Sequence, residues 1–260
     1  MAKFPIPGRR SLLIGAAAAA GTTLAAGRFA AMAKPARDGA TEGPWAVELF
    51  TSQGCNSCPP ADAYLGRLAK RPDIVALSFH VDYWDYIGWK DPFASRETTE
   101  RQRAYARVLK QRYVYTPEMV VDGIGHDTGR EPAPIERLLA EAQRRSPRRA
   151  TPELSRSGNG PLTIKLAAFD LGGKSADVTL AVYDRRHDTP INSGENQGRA
   201  LANFNTVRHF ELVSRWSGAA AEWTIPSENI GPLQGMAVLV QHADHGPVVG
   251  CNKLEPAYSG

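Results

Sequence analysis

Two cysteines three residues apart, followed at once by two prolines, lie in the run ELFTSQGCNSCPPADAY at residues 48–64. No other feature restricts the fold as tightly. Before it, Trp45 to Thr51 has the unbroken apolar character of a buried strand. After it, Ala61, Tyr64, Leu65 and Leu68 recur at helical spacing until Pro72 stops the helix, expected over Ala61 to Arg71. A Cys-x-x-Cys at such a junction has its sulfurs close enough to bond. Unpaired N–H groups and the positive end of the helix dipole also favour thiolate over thiol at the first sulfur. Cys55 is therefore the expected nucleophile and Cys58, deeper in the turn, the resolving thiol. Pro59 and Pro60 remove two of those N–H groups and disfavour helical backbone at Cys58. The regular helix is thus expected to start at Pro59 or Pro60, with the cysteines on the preceding loop and a weaker pull on the thiolate.

The run DIVALSFHVD predicts a second buried strand, and a polar helix is expected from an N-cap at Ser95 to Arg112. YVYTPEMVVDGIGHDTG predicts a third strand from Glu118 that turns at Asp122-Gly123 into a hairpin, and APIERLLAEAQRR a closing helix. This order implies a mixed sheet with helices on both faces. RRSPRRATPELSRSGNGP then breaks the pattern and reads as a solvated linker, although its four clustered arginines, Arg144, Arg145, Arg148 and Arg149, could meet an acidic partner. Beyond it come short alternating runs, PLTIKLAAF, ADVTLAVYD, TVRHFELVSRW, GMAVLVQHA and PVVGCNKL, without helical periodicity. The expectation is an α/β chain: a thioredoxin-like domain at 44–148, followed by a small antiparallel β-sandwich domain at 158–256.

The thioredoxin assignment rests on the element order and on Thr116-Pro117, which resembles the cis-proline loop that faces the dithiol in that fold. A cis bond there would let the Thr116 backbone pair with a peptide substrate as an added strand would. The runs VELFTSQGCNSCPPAD, LSFHVDYWDYIGW, RQRAY and YTPEMVVDG resemble, at closer range, a family of exported thioredoxin-like proteins known only as a domain of unknown function. The resemblance implies the fold and export, and no particular reaction.

HVDYWDYIGWKDPF follows the second strand at the edge of the sheet that holds Cys55. Tyr83, Trp84, Tyr86, Trp89 and Phe93 could form a substrate wall, with Asp82 or His80 as proton acceptor for Cys58. Packing of the rings onto the sheet and capping of turns by Asp82 and Asp85 explain the same residues without function. His80 or His126 could join the two sulfurs in a copper site. A closed zinc site is not expected, because no second Cys-x-x-Cys exists, and His242-Ala243-Asp244-His245 reads as a turn. Cys251 reads as a small core residue, and the loop GENQGRALANFN, with Glu195, Asn196 and Arg199, as a surface connection that could contact a ligand or the first domain.

The formal charge of +4 comes entirely from the first 33 residues, where Lys3, Arg9, Arg10 and Arg28 meet no acid. Without them the chain is neutral, which gives no case for nucleic acid or a membrane surface as partner. Residues 1–33 read as a signal peptide of twin-arginine type, with Arg9-Arg10, an apolar run from Leu12 to Ala26 and an Ala31-Met32-Ala33 cleavage site. The mature chain is then expected to be periplasmic or secreted and to carry no membrane span. Thiol–disulfide exchange on a protein or small-thiol substrate follows as the leading expectation, with Cys55, Cys58 and Pro117 as catalytic residues. Thr116, Tyr83, Trp84, Asp82 and Trp89 would be substrate-binding. No cofactor or metal is required. The alternatives are a non-catalytic binding module whose disulfide is structural, and a copper-handling protein.

Overall fold

The computed structural model describes residues 43–232 and 234–256, so the expected signal peptide at 1–33 lies outside the described residues. Strand β1 (Trp45–Thr51) leads into helix α1 (Pro59–Leu68), strand β2 (Ile74–His80), helix α2 (Arg96–Val108), the hairpin β3 (Glu118–Val121) and β4 (Gly125–Asp127), and helix α3 (Pro132–Arg145). The remainder is β5 (Glu153–Arg156), β6 (Leu162–Leu166), β7 (Ala176–Pro190), β8 (Ala200–Trp216), β9 (Ala221–Ile225), β10 (Gly235–His242) and β11 (Val248–Leu254).

β1 and β2 are parallel, in register from Trp45 opposite Ile74 to Thr51 opposite His80, and every residue of both is buried. Such strands lack polar–apolar alternation because both of their faces are covered. Val47 and Leu49 pack against Leu65 and Leu68 of α1 and Ile135 and Leu139 of α3. On the other face, Phe50, Leu77 and Phe79 meet Tyr105 of α2. Glu48 lies on that second face and accepts two bonds from Arg101, at 2.6 and 2.9 Å, while the guanidinium lies near the rings of Phe79, Tyr105 and Phe210. The fork geometry is what allows a carboxylate to sit in a core strand. α2 starts at the expected cap, with the Ser95 hydroxyl accepting from the Thr98 N–H at 3.2 Å. It stops at Val108, short of the expected Arg112, as Leu109 leaves helical geometry and Lys110 takes a positive φ of 56°.

The two expected domains do not build separate sheets. One eight-stranded mixed sheet runs β11-β10-β7-β8-β2-β1-β3-β4, and β5, β6 and β9 form a three-stranded antiparallel sheet. β8 joins the halves by pairing with β2 in parallel, Ser78 opposite Thr206, while the Asn205 side chain donates to the Ala76 carbonyl at 2.8 Å. One apolar cluster accordingly spans both halves, from Phe50 and Leu77 to Ala181 and Leu239. The three-stranded sheet turns Leu162 and Ile164 toward Val178, Leu180 and Val238 of the large sheet.

The arginine-rich segment differs most from its reading as a solvated linker. It contains β5, and Arg149 is buried, bonded to both oxygens of Asp122 and to the Pro44 and Val248 carbonyls. Burial is tolerable there because every charge-bearing oxygen of Asp122 has a cationic partner. Runs of arginine look alike in sequence whether solvated or paired, and only the hairpin turn at Asp122 brings the partner.

Candidate functional site

Cys55 and Cys58 form a disulfide at the end of β1, with a Cα–Cα distance of 5.5 Å. α1 begins at Pro59, as the prolines require, but Cys58, its N-cap, already has helical backbone at φ −77° and ψ −34°. The steric preference of a pre-proline residue is overridden by a tight set of turn bonds. Cys58 N–H donates to Cys55 O at 3.3 Å, and Cys58 O accepts from Ala61 and Asp62 at 2.9 and 3.1 Å. The Cys55 sulfur has one polar side-chain neighbour, the Ser57 hydroxyl at 3.4 Å.

Both cysteines are buried, Cys55 at 1% and Cys58 at 0% exposure. Part of the cover comes from the loop between β7 and β8. Asn196, itself 1% exposed, donates from its side-chain amide to the Gln53 carbonyl at 2.9 Å and the Cys55 carbonyl at 3.0 Å. Ser193 donates to Gly88 O at 2.6 Å, holding the same loop to the aromatic segment. Asn196 therefore contacts the first half of the chain; the sequence left that open, and Arg199 supports it with a bond to the Asn196 oxygen at 2.9 Å.

Around the disulfide lies a buried polar cluster that sequence reasoning largely missed. Asp62, on α1 one turn after Cys58, is buried, and burial pushes its carboxyl up to about 7 against the opposing charge of His80. His80 is buried at the end of β2, its Nδ1 2.7 Å from Asp91. Burial opposes a charge on this imidazole, yet Asp91 and Asp62 carry it above its ordinary value. Asp91, despite burial, is held low by His80 and by the N–H groups of Gln53 and Phe93. His80 Nε2 and Asp62 Oδ1 are both buried without a hydrogen-bond partner among the described residues. Gln53 completes the floor by donating to Asn203 on β8 at 2.9 Å and accepting from the Trp89 indole at 3.2 Å. A cleft of about 260 Å³ lined by Pro59, Asp62, Ala63 and residues 200–202 of β8 opens beside this cluster. The sequence signal for Asp62 was a carboxylate one turn after Cys58 on a helix with an otherwise apolar inner face.

The other anticipated residues fall into two groups. Thr116-Pro117 is a cis bond, with Pro117 buried, and the Trp84 indole donates to the Thr116 hydroxyl at 2.7 Å. Trp84 also lies beside Gly54, where an added Cβ would come within 3.2 Å of the Trp84 Cβ. Trp84, Trp89, Thr116 and the disulfide are thereby brought together. Asp82 is instead engaged by α2, accepting from the Thr99 hydroxyl at 2.6 Å while its N–H donates to that hydroxyl. Tyr83 donates to Gln102 at 3.1 Å, and Asp85 accepts from the Asp91 N–H. These bonds are the capping and packing roles weighed against function, and Tyr86 projects outward at 84% exposure. His126 is turned to Tyr115, its Nδ1 2.7 Å from the phenol oxygen, and His80 holds Asp91 through Nδ1. Among the described residues, no group of three or more His, Cys, Asp or Glu side chains is placed to hold a metal ion. Cys251 is buried, donates to Pro44 O at 3.2 Å, and its thiol is pushed up to about 12 by burial.

None of the curated proteins matches the chain. Among solved structures, the crystal structure of a protein from Agrobacterium tumefaciens is similar, at 32% identity and a TM-score of 0.73 over 85% of this chain and 98% of that one. A family model described as "Protein of unknown function (DUF1223)" matches residues 46–241, from β1 into β10 and across the cysteine pair, the cis-proline loop and Asn196, and the chain belongs to that family.

Proposed function

We propose that this protein carries out thiol–disulfide exchange through Cys55 and Cys58, on a thioredoxin-like frame, in the periplasm or outside the cell. The observation that carries the reading is a disulfide closed across one turn at a strand–helix junction, one turn from a buried carboxyl held near neutrality. A substrate thiolate attacks the Cys55 sulfur, the Cys55–Cys58 bond breaks, and its electron pair goes to Cys58. Asp62, whose carboxyl burial pushes up to about 7, is the group suited to supply the proton that converts the Cys58 thiolate to a thiol. A second substrate thiolate then displaces Cys55 from the mixed disulfide, so that two substrate thiols become one disulfide and the pair becomes a dithiol. The same steps run backward for a substrate disulfide. An oxidising compartment suits a resting disulfide, and Trp84 and Trp89 form the substrate wall with Thr116.

One observation favours the second reading, a binding module with a structural disulfide: Cys55 is only 1% exposed. The reduction potential of the pair separates the two, titrated against glutathione with alkylation and mass as readout. A value of roughly −120 to −270 mV supports exchange, whereas a value below about −300 mV marks a structural bond and replaces the exchange reading with the binding module.

A further inference from the structure

Asp62 and His80 are buried, at 5% and 1% exposure, where α1 covers the sheet. Along β2, Ile74 and Ala76 pack toward α1, and Ser78 and His80 continue that alternation at the end of the strand. Thr51 does the same on β1 and lies opposite His80 in the register. Near Cys58 the inner face of α1 thus meets polar side chains, where further along it meets apolar ones. Asp62 Oδ1, His80 Nε2 and the hydroxyls of Thr51 and Ser78 are each buried without a hydrogen-bond partner among the described residues. Buried polar groups are normally paired, so four such atoms at one end of one interface call for a role. Of the charged side chains around Asp62, His80 acts on it most strongly, ahead of Asp91.

Asp91 fixes which edge of the imidazole can change. It accepts from the Gln53 N–H at Oδ2, at 2.7 Å, and from the Phe93 N–H at Oδ1, at 2.9 Å. Two backbone donors hold it as a carboxylate, which only accepts, so His80 Nδ1, 2.7 Å from Oδ2, donates. Protonation of the ring then changes at Nε2 alone. Asp91 and Asp62 favour the imidazolium, and Arg208 of β8 opposes it. When Asp62 gives up its proton a buried carboxylate forms, and such a charge is costly without a counter-charge. Thr51 and Asn203 offer it neutral dipoles and Asp91 repels it, which leaves the imidazolium as the group that can balance it.

We propose that His80, held by Asp91, is the positioning residue of the proton step, its imidazolium balancing the carboxylate that Asp62 becomes on protonating Cys58. The proposal rests on the exchange reading above. Substrate thiolate attacks Cys55, and Cys58 leaves with the electron pair as a thiolate. The Asp62 O–H bond breaks, its proton goes to the Cys58 sulfur, and its electron pair stays on the carboxylate oxygen. His80 neither gains nor loses a proton, so the cluster passes one negative charge from sulfur to oxygen and keeps its total. Reoxidation returns the proton from Cys58 to Asp62.

The test follows the rate of reduction of the Cys55–Cys58 bond by 2-mercaptoethanol, per thiolate, from about pH 5 to about pH 9. Mass after alkylation is the readout and circular dichroism the check of folding. The native rate should fall as Asp62 loses its proton, with a midpoint of about 7. His80→Gln keeps a hydrogen-bonding side chain without the charge and should move that midpoint up by about one pH unit. Asp91→Asn should move it the same way, because the imidazolium loses the carboxylate that holds it. Asp62→Asn should flatten the profile, and His80→Gln added to it should change the profile no further. If the His80 and Asp91 variants do not fold, the ring nitrogen resonances of labelled histidine in the native protein decide: both nitrogens of His80 should carry protons at pH 7. An unmoved midpoint in folded His80→Gln, or a neutral His80 ring at pH 7, overturns the positioning role while leaving exchange intact. A flat native profile removes Asp62 from the proton step and His80 with it. A pair that the thiol does not open, together with a potential below about −300 mV, overturns the exchange reading itself.

Discussion

Gln53 and Asn203 are separated by 150 positions in the chain, yet their side chains share a buried hydrogen bond of 2.9 Å beneath the disulfide. The bond joins the loop before Cys55 to strand β8 from the other half of the molecule. The candidate site is thus built by both halves of the sheet, and disturbances in β8 reach the cysteines directly.

Asn203→Ala leaves the buried Gln53 amide nitrogen without its acceptor, because the other Gln53 atom is already engaged by Trp89. Stability should fall by about 1–3 kcal/mol, read from urea or guanidinium unfolding with the disulfide intact. A loss below about 0.5 kcal/mol would mean that the bond is dispensable.

Asp62 gives the protein a signature in pH. Its carboxyl is raised from 3.8 to about 7 by burial, so between those values the folded chain holds a proton that the unfolded chain has released. The stability this group contributes is complete below pH 3.8 and drains away as pH rises toward 7. About 2 kcal/mol should be lost between pH 5 and 8 on its account. Asp62→Asn should flatten that part of the profile and leave the variant more stable than the native chain at pH 8, as denaturant midpoints at the two pH values would show.

Gly66 faces β8 from the middle of α1, and a Cβ there would come within 2.6 Å of the Phe204 ring. Alanine is the better helix former by about 1 kcal/mol. Overpacking against an aromatic ring costs about 1–3 kcal/mol. Packing wins, so Gly66→Ala should lower stability by about 1 kcal/mol, and a stabilised variant would show that α1 and β8 part easily.

Cys251 should be inert in the native state. Its thiol is fully buried, donates to Pro44 O and is pushed up to about 12. Iodoacetamide at pH 8 should leave the folded protein unlabelled and add a single group after unfolding without reductant. Rapid labelling of the folded protein would indicate that β11 opens locally.

Much of the first half was legible in the sequence because its signals are local. β1 and β2 are runs without breakers, Ser95 caps α2 through its own Thr98 N–H, and Asp122-Gly123 turns the β3–β4 hairpin. Thr116-Pro117, in its cis form, also declared itself by position. What escaped depends on partners far along the chain. Ser78 and Thr206 carry no mark that they will pair across the sheet, and Arg149 looks like its solvated neighbours until the Asp122 turn reaches it. At the site, Asn196 was one polar residue in a polar loop, distinguished only by two carbonyls more than 140 positions away. Asp82 drew attention for its place in an aromatic run, whereas the buried carboxyl beside Cys58 was Asp62, hidden in plain helical spacing.

The seam between β2 and β8 bears on any attempt to trim the protein. A fragment ending near residue 148 would keep the cysteines and the cis-proline loop but leave β2 as a bare edge, with Val75, Leu77 and Phe79 stripped of cover. An uncovered apolar edge of that kind is a template for other chains. The fragment would tend to clump, and aggregation of the shortened chain would say nothing about the chemistry of its sulfurs.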